Sequence, residues 1–370
     1  AKQYVDKKIL NVNGIDIVTG RLKYVNDLTT PGMLYAGFVT QPYHQSITSV
    51  HTLDKTKTEE VEGVKGIEVI CGKPAVIGER YTDVLKGIFK AEITWWSPSR
   101  PRELNIEQEL RSKSFLEVVK EDQGDVEGAL STCEVVLSET YYTQHMTHAA
   151  IETDTSLAAY DDNEEKWHVW ASTQWPHKQR EMVAAKLGIP EEKVRIISNP
   201  AGGAFGGKIE NTVNAEAAAI SDYIKAPVKL IYSRKNQFQL RSHFKAAVVI
   251  DIESGVDASG KIIARKIDEY DDLAEGSTFV YDIPNVRTNA YKGYIPYARA
   301  VVRGTSYVQT CFAIESHMDM LAKRAGIDRI EFRRNNVLYP EFIDLIDSSW
   351  ERVLGGLTGN PGEGVGIGLV

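Results

Sequence analysis

The sequence has few cysteines and no long apolar run, and both absences narrow what this protein can be. The cysteines among its 370 residues are Cys71, Cys133 and Cys311, which lie far apart and are odd in number, as is typical of a reducing compartment. Three thiolates exclude an iron–sulfur cluster ligated only by cysteines of this chain, because such a cluster needs four. No apolar run approaches the ~18 residues of a membrane-spanning helix. We therefore expect no membrane span.

The sequence also lacks an excess of positive charge. Its 43 lysines and arginines are outnumbered by 51 aspartates and glutamates, which gives a formal net charge of −8. A nucleic-acid-binding surface needs clustered lysine and arginine, so we expect no nucleic-acid partner. Residues 1–8 carry charges with no apolar signal core after them, which favours the cytoplasm. The composition, 42% hydrophobic and 25% charged, is that of an ordinary soluble globular protein.

The length allows two or three domains. In the first region, up to about residue 120, the pattern predicts a helix over 81–89 and short strands over 24–27, 34–39, 66–70 and 91–96. Strands mixed with helices indicate a small α/β or α+β domain. Residues 97–102 contain two prolines, which break both helix and sheet, and are the best candidate for a linker.

A glycine-rich stretch, residues 199–208 with the sequence NPAGGAFGGK, is the most informative part of the chain. The pattern predicts a strand over 193–198 before it and a helix over 211–220 after it. A strand, a glycine loop and a helix commonly bring backbone N–H groups close to an anion. The stretch therefore predicts a cofactor loop in which Phe205 forms an apolar wall. A tight turn between two buried elements is the alternative, and the loop alone does not separate the two.

Two nucleotide-binding motifs fit this loop only in part. Residues 202–208 match G-x-x-x-x-G-K, but the next residue, where a phosphate loop needs Ser or Thr for Mg²⁺, is Ile209. No register supplies all three glycines of the dinucleotide pattern G-x-G-x-x-G. The loop thus suits an anionic cofactor, but neither common nucleotide in its usual mode.

Two other segments carry candidate site residues. His145, His148 and Glu152 could together ligate zinc, although no H-E-x-x-H pattern is present, and polar groups hydrogen-bonded inside a site or core are the favoured interpretation. Further on, the pattern predicts a strand over 166–172 and a helix from Pro176 to residue 187. Gln174 would lie at their junction, where functional side chains are often displayed. The alternative role for Gln174 is a simple cap or turn residue.

Taken in order, these motifs resemble the molybdopterin-binding subunit of the xanthine oxidase family of molybdenum hydroxylases. The resemblance rests on residues 171–176, 187–190, 194–196 and 202–208, with further agreement at 18–24, 31–36, 148–152, 227–234, 257–262, 302–304, 309, 312–316, 319–322 and 331–336. Residues 281–287 and the strand around Trp95 and Trp96 look most like the isoquinoline 1-oxidoreductase branch, close to chains of the aldehyde oxidoreductase type. The likeness is to the N-terminal half of the family's large subunit.

The resemblance implies an α+β fold in three parts. Residues 1–120 would form a hammerhead-like α/β domain, and residues 121–355 the first molybdopterin-binding domain. Residues 356–370, which include the glycine-rich run 362–368, look like the start of a second molybdopterin-binding domain, split or truncated.

The resemblance also implies the roles of individual residues. Gln174 matches the glutamine that hydrogen-bonds an oxo ligand of molybdenum, and Phe205 and Gly206 match the pair beside the metal, with the aromatic ring bordering the substrate. Arg303 matches a second cofactor and substrate loop. The implied cofactor-binding set is Gly202, Gly203, Phe205, Gly206, Gly207, Arg303, Gly304 and Gln309. The implied cofactor is molybdenum-molybdopterin, in its cytosine dinucleotide form, with no direct protein ligand to the metal.

The function implied by the resemblance is oxidation of an N-heterocycle or an aldehyde with water-derived oxygen, by a subunit of a complex. Electrons would leave through partner subunits that carry the iron–sulfur clusters and FAD. Two departures from the family pattern matter for the substrate. Ile209 stands where xanthine oxidase-type members carry a glutamate, which disfavours purines, and Thr305-Ser306-Tyr307 replaces the usual Phe-Gly.

No motif in this chain supplies the glutamate general base that the family's second molybdopterin-binding half normally carries. Either another chain provides that half, or this chain is a non-catalytic or truncated cofactor-binding scaffold half. A phosphate-loop nucleotide-binding protein is the third hypothesis, which Ile209 disfavours.

Overall fold

The structure is a computed structural model, and it describes residues 10–44, 48–97, 105–240, 244–271, 280–292, 300–305 and 307–339, with residues 341 and 344. Most of the predicted linker, residues 98–102, and the predicted start of another domain, residues 356–370, lie outside the described residues. Within the described part, no helix is long and apolar enough to cross a membrane.

Helices and strands are mixed along the whole described chain, as the predicted α+β class requires. The strands are β1 (Leu34–Phe38), β2 (Ser49–Asp54), β3 (Val64–Ile70), β4 (Lys73–Gly78), β5 (Glu92–Trp96), β6 (Phe115–Gln123), β7 (Val135–Thr143), β8 (Thr155–Asp161), β9 (Lys166–Ser172), β10 (Val194–Asn199), β11 (Val228–Ile231), β12 (Val248–Val256), β13 (Ile262–Asp271) and β14 (Asn285–Lys292). The helices are α1 (Gly14–Val18), α2 (Thr56–Glu59), α3 (Tyr81–Lys90), α4 (Ile106–Lys113), α5 (Val126–Ser131), α6 (Pro176–Leu187), α7 (Val213–Ile224), α8 (Arg234–Gln239), α9 (Tyr307–Ala325) and α10 (Arg329–Asn336).

The chain forms two compact units that interleave along the sequence. The first unit comprises Ala1–Pro101, Thr147–Phe244 and Ala300–Arg303, and the second comprises Arg102–Met146, Lys245–Arg299 and Gly304–Val370. Residue 120, the predicted domain boundary, lies inside β6, and strands from before and after it share one sheet of the first unit. The two compact units therefore do not coincide with the two ranges on either side of residue 120. The assignment of a hammerhead-like and a molybdopterin-binding domain to the predicted ranges stays a prediction.

The first unit is built on a seven-stranded mixed sheet in the order β10-β9-β8-β11-β1-β4-β3. Its pairs β9/β10 and β1/β11 are parallel, and the others are antiparallel. Helix α7 is almost wholly buried and contributes Val213, Ala217 and Ile220 to the core beneath the sheet. A separate antiparallel pair, β2 with β5, completes the sheets of this unit.

The parallel pairing of β9 and β10 brings two candidate segments together. In its register Ser172 lies opposite Asn199, so the carboxyl ends of the two strands are adjacent. The segment that contains Gln174 leaves one strand there, and the glycine-rich loop leaves the other. The carboxyl ends of adjacent parallel strands are where α/β sheets commonly bind ligands.

The second unit contains a five-stranded sheet in the order β6-β14-β13-β12-β7, in which only β13 and β14 pair in parallel. Helices α9 and α10 contribute Ile314, Leu321 and Phe332 to a hydrophobic core. Ile250 and Ile267 contribute to the same core from the sheet. Strand β6 and strand β7 are the two edges.

Most predicted elements are confirmed, and one is wrong. Helix α6 begins with Pro176 at its first turn and ends at Gly188, whose φ of 67° is the left-handed conformation that favours glycine. Residues 24–27, however, are not a strand, because residues 25–27 form a 3₁₀ helix. The Asp27 carboxylate accepts a hydrogen bond from the backbone N–H of Tyr24, and such local side-chain bonds favour a turn over an extended strand.

A buried histidine makes the stability of the second unit depend on pH. His317 is 0% exposed, and its Nδ1 lies 3.1 Å from the hydroxyl of Tyr141. Burial, and then repulsion by Arg265, lowers the pKa of His317 from 6.5 to about 3. Below pH 6.5 the unfolded chain therefore binds a proton that the folded chain does not. Stability from the neutral imidazole is complete above pH 6.5 and falls as the pH drops toward 3, by about 1.4 kcal/mol per pH unit.

We expect His317→Gln to flatten this acid-side loss of stability, measured by urea unfolding at a series of pH values. The matched control is His51→Gln, since His51 is exposed, and it should leave the pH profile unchanged. A His317→Gln profile that still falls as steeply as the parent profile would assign the acid sensitivity to other groups.

Candidate functional site

The glycine-rich loop presents an aromatic side chain in a strained backbone conformation. Phe205 has a φ of 54° and is 45% exposed. A non-glycine residue in the left-handed region costs free energy, and such residues cluster at functional sites. The predicted role of Phe205 as an apolar wall is compatible with this exposure.

The glycines of the loop are required by the protein's own packing. A Cβ on Gly202 would lie 2.6 Å from Cβ of Glu152, and one on Gly203 would lie 3.2 Å from Cβ of Ala150. A Cβ on Gly206 would lie 2.0 Å from the carbonyl oxygen of Val301. The tight-turn hypothesis therefore explains these three glycines without any ligand. It also fits the positive φ of Phe205, because the Gly207 N–H donates to the Ala204 carbonyl at 2.8 Å across Phe205 and Gly206. The exposed aromatic ring of Phe205 is the feature that turn formation does not require.

Gln174 is fixed at the edge of this loop by hydrogen bonds that leave its amide nitrogen available. Its Oε1 accepts from the backbone N–H of Gly206 at 2.9 Å and from that of Lys208 at 3.3 Å, and its backbone N–H donates to the Lys208 carbonyl at 3.0 Å. Only the oxygen can accept from two N–H groups, so the amide orientation is settled. Nε2 has no partner among the described residues, and the side chain is exposed.

A buried cluster that the sequence did not predict holds the loop in place. Oε2 of Glu152 accepts from Nζ of Lys208 at 2.6 Å, from the Ser172 hydroxyl at 2.8 Å and from the backbone N–H of Gly202 at 2.8 Å. The side chains of Lys208 and Glu152 are only 2% and 8% exposed. Because Glu152 is far from Lys208 in the chain, no local spacing could have revealed the pair.

The burial of Lys208 argues against a phosphate loop. The lysine of such a loop must reach the phosphates of a bound nucleotide. Here the Lys208 ammonium is enclosed and hydrogen-bonded to Glu152 and Ser172. This cation stabilises the base of the loop instead of facing a ligand.

A second segment of the first unit lies directly against the loop. The backbone N–H of Arg303 donates to the carbonyl of Phe205 at 2.9 Å, and Nε2 of His148 lies 2.8 Å from the carbonyl oxygen of Val301. The Arg303 residue itself is exposed. The structure thus brings together Gln174, the loop from Gly202 to Gly207, and Arg303, all of which the sequence had singled out.

The last two predicted residues belong to the second unit. Gly304 has a φ of 85°, and its carbonyl accepts from the N–H of Val308. Gln309 lies in the first turn of α9, is 2% exposed, and donates from Nε2 to the carbonyl of Ala246 at 3.2 Å. Their predicted cofactor contacts stay predictions.

The favoured interpretation of His145, His148 and Glu152 as hydrogen-bonded groups is confirmed. Nδ1 of His145 lies 3.0 Å from the carbonyl oxygen of Lys245, and the other two make the contacts given above. Burial lowers the pKa of His145. Within the described residues, the one group with metal-ligand spacing is Asp161, Glu164 and His168, near the β8–β9 turn.

Comparison with known protein families assigns the chain to a family. The model of the molybdopterin cofactor-binding domain matches residues 108–337. The chain belongs to this family. The resemblance inferred from the sequence motifs is thereby confirmed, and the cofactor of this family is molybdenum-molybdopterin.

Two curated relatives of this molybdopterin-binding chain are named as dehydrogenase subunits. It is 29% identical over 371 residues to a probable xanthine dehydrogenase subunit of Bacillus subtilis, covering 87% of this chain and 49% of the relative. It is also 29% identical over 391 residues to the nicotinate dehydrogenase large molybdopterin subunit of Eubacterium barkeri, covering 90% of this chain and 88% of the relative. The chain thus spans about half the length of the first relative and most of the second.

Solved structures share the fold. Quinoline 2-oxidoreductase from Pseudomonas putida 86 superposes with a TM-score of 0.79 at 17% identity, covering 96% of this chain and 55% of that one. The aldehyde oxidoreductase of Desulfovibrio gigas gives 0.75 at 19% identity, covering 93% of this chain and 46% of that one. At such identities the likeness establishes the α+β fold and nothing about the substrate.

The described residues fit the pterin-bound metal. A dithiolene-bound molybdenum takes no ligand from the protein, which contributes hydrogen bonds and shape around it. The amide nitrogen of Gln174, which has no partner among the described residues, would suit such a donor, and the exposed ring of Phe205 would suit such a wall. Phe205 lies on the glycine-rich loop and Gln174 is hydrogen-bonded to it, and the lysine of this loop pairs with Glu152.

Proposed function

We propose that this chain is a subunit of a molybdenum hydroxylase that oxidises an N-heterocycle or an aldehyde, taking the inserted oxygen from water. The observation that carries the proposal is Gln174, whose oxygen is fixed on the glycine loop while its Nε2 remains available as a donor. Membership of the molybdopterin-binding family supports the cofactor. The relatives named for nicotinate and for an aldehyde support the two substrate classes.

The positions of the chain's own residues support the following roles. Gln174 would donate a hydrogen bond from Nε2 to the bound cofactor and so help to orient it. Phe205 forms an apolar wall beside the substrate, and Arg303 borders the same loop through its backbone bond to Phe205. When bound, the molybdenum cofactor supplies the oxidising chemistry that transfers oxygen from water to an electron-poor carbon. Ile209, in place of a glutamate, offers no carboxylate to a purine.

The proposal also covers the form of the cofactor and the partner subunits. We propose that the pterin carries a cytosine dinucleotide, that a second molybdopterin-binding half supplies the general-base glutamate, and that iron–sulfur and flavin subunits accept the electrons. The names of relatives as subunits support an assembly of several chains. Mass spectrometry of every chain that co-purifies with this one tests the assembly directly.

Gln174→Glu tests the role of the amide nitrogen of Gln174. The new carboxylate would keep an oxygen that accepts from the Gly206 and Lys208 N–H groups, so the loop should stay in place. It would lose the donor, and we expect turnover of the assembled enzyme to fall by about tenfold or more, since loss of one oriented donor at a reacting centre has effects of this order or larger. Molybdenum content should remain near that of the parent, which separates a loss of chemistry from a loss of cofactor.

Gln179→Glu is the matched control. Gln179 lies on the adjacent helix α6 and is buried, donating to the carbonyl of Ile209 at 2.8 Å, so its replacement affects packing and not the predicted donor. We expect it to lower stability and to leave turnover per molybdenum unchanged. If Gln174→Glu has the turnover and the molybdenum content of the parent, the predicted role of Gln174 is contradicted.

A further inference from the structure

A cavity in the second unit combines charged and apolar walls. It has a volume of about 220 Å³ and is open to solvent, and its lining includes Arg265 from β13, Glu121 from β6 and Ile314 from α9. All residues that line it belong to the second unit. Its volume is below the ~300–1,000 Å³ of pockets for drug-sized molecules, so its ligand must be small.

Arg265 is a buried cation without a carboxylate partner among the described residues. It is 2% exposed; its Nε donates to the Ser254 hydroxyl at 3.0 Å, and its Nη2 lies 3.1 Å from the sulfur of Met318. Nη1 makes no hydrogen bond to the described residues. Burial lowers the pKa of Arg265 to about 10, which still leaves the guanidinium charged at neutral pH. A buried charge is normally paired, because an unpaired one is costly.

The acidic groups near Arg265 do not neutralise it by contact. Glu315 is already committed, since it accepts from the Tyr281 hydroxyl at 2.6 Å and from Arg333 at 2.8 and 2.9 Å. Glu121 accepts from the Thr288 hydroxyl at 2.6 Å and makes no ion pair with Arg265 within 4.0 Å. Asp282, which is exposed, also lines the cavity and makes no ion pair with Arg265. One cation and two carboxylates therefore line the same cavity without an ion pair between them.

We propose that this cavity binds a small zwitterion, an α-amino acid with a short apolar side chain, whose carboxylate pairs with Arg265 and whose ammonium group faces Glu121. A simple anion would be repelled by Glu121 and Asp282, and a simple cation would be repelled by Arg265. The apolar side chain would contact Ile267, Ile283 and Val286, which are among the apolar residues that line the cavity. This inference concerns the second unit alone and does not depend on the proposed molybdenum chemistry.

The test is calorimetric titration of the purified full chain, in its native assembly, with three probes of similar shape: L-valine, isovalerate and isobutylamine. Isovalerate lacks the ammonium group and isobutylamine lacks the carboxylate. We expect saturable binding of L-valine at one site per chain. Each of the other probes should bind more weakly by about tenfold or more, because it lacks one of the two charge-assisted hydrogen bonds.

Two variants test whether Arg265 binds the ligand's carboxylate and Glu121 its ammonium group. Arg265→Met should weaken L-valine binding by about tenfold or more without lowering the melting temperature, because it removes a buried charge that has no ion pair. Glu121→Gln keeps an acceptor for Thr288; it should weaken L-valine binding and leave isovalerate binding no weaker than in the parent. Arg333→Met is the contrasting control, and it should lower the melting temperature because it leaves Glu315 unpaired.

The outcomes distinguish the proposal from its competitors. Absence of saturable L-valine binding at millimolar concentration overturns it, and a fall in melting temperature for Arg265→Met would then mark Arg265 as structural. Isovalerate binding as tightly as L-valine, with no effect of Glu121→Gln, overturns the zwitterion in favour of a simple anion.

Discussion

Gly206→Val is expected to yield a folded chain that purifies with at least about tenfold less molybdenum than the parent. Gly206 has a φ of 97°, a conformation unfavourable for a β-branched residue, and the added Cβ would lie 2.0 Å from the Val301 carbonyl oxygen. Segment 301–303 must therefore move away from the loop, which breaks the bond between Arg303 N–H and the Phe205 carbonyl. A distortion that costs ~2 kcal/mol, the middle of the range for strained backbone, weakens cofactor binding by about thirtyfold.

Gly188→Val is the matched control, because it introduces the same side chain at a similar backbone angle without the clash. Gly188 has a φ of 67°, and a Cβ there would meet nothing within 4 Å. We expect this variant to lose stability from backbone strain and to keep its molybdenum, measured by elemental analysis together with far-UV circular dichroism. Parental molybdenum content in Gly206→Val would contradict the placement of the cofactor beside the loop.

Lys208→Met is expected to lower the free energy of unfolding by about 3–5 kcal/mol, which is the range for breaking a buried ion pair from one side. The variant leaves the Glu152 carboxylate, 8% exposed, without the ammonium 2.6 Å away. The Ser172 hydroxyl and the Gly202 N–H would remain, and they cannot neutralise its charge. The loss is to be measured by urea unfolding of the chain.

The double variant Glu152→Gln/Lys208→Met tests whether the loss of stability in Lys208→Met comes from the unpaired charge of Glu152. Removing both charges should recover much of the lost stability, because an uncharged pair has no uncompensated buried charge. Lys225→Met supplies the surface comparison: its ion pair with Asp222 is exposed, with side chains 77% and 49% accessible, and its loss should cost ~1 kcal/mol or less. Equal losses in Lys208→Met and Lys225→Met would show that the buried pair does not stabilise the loop.

Some of the features behind these expectations could be predicted from sequence patterns, and others could not. The local elements around the site were predictable: the strand ending at Ser172, the helix beginning at Pro176 and the glycine loop follow from alternation, a proline at a first turn and glycine spacing. Where the pattern misled, at residues 24–27, a single side-chain hydrogen bond to Asp27 outweighed strand propensity. Membership of the molybdopterin-binding family was also predictable, because several ordered motifs together are more specific than any one of them.

The sequence by itself determined the family, the α+β class and the identities of Gln174, Phe205 and Arg303 as candidates, since each lies in a local motif. Only the tertiary structure decided what the loop's glycines and lysine do. Gly202, Gly203 and Gly206 accommodate neighbouring protein atoms, and Lys208 pairs with a carboxylate 56 residues away. The physical reason is that β9 pairs with both β8 and β10, which brings Glu152, before β8, and the glycine loop, after β10, to the same end of β9. Burial then makes Lys208, which has the spacing of a phosphate-binding lysine, part of the core.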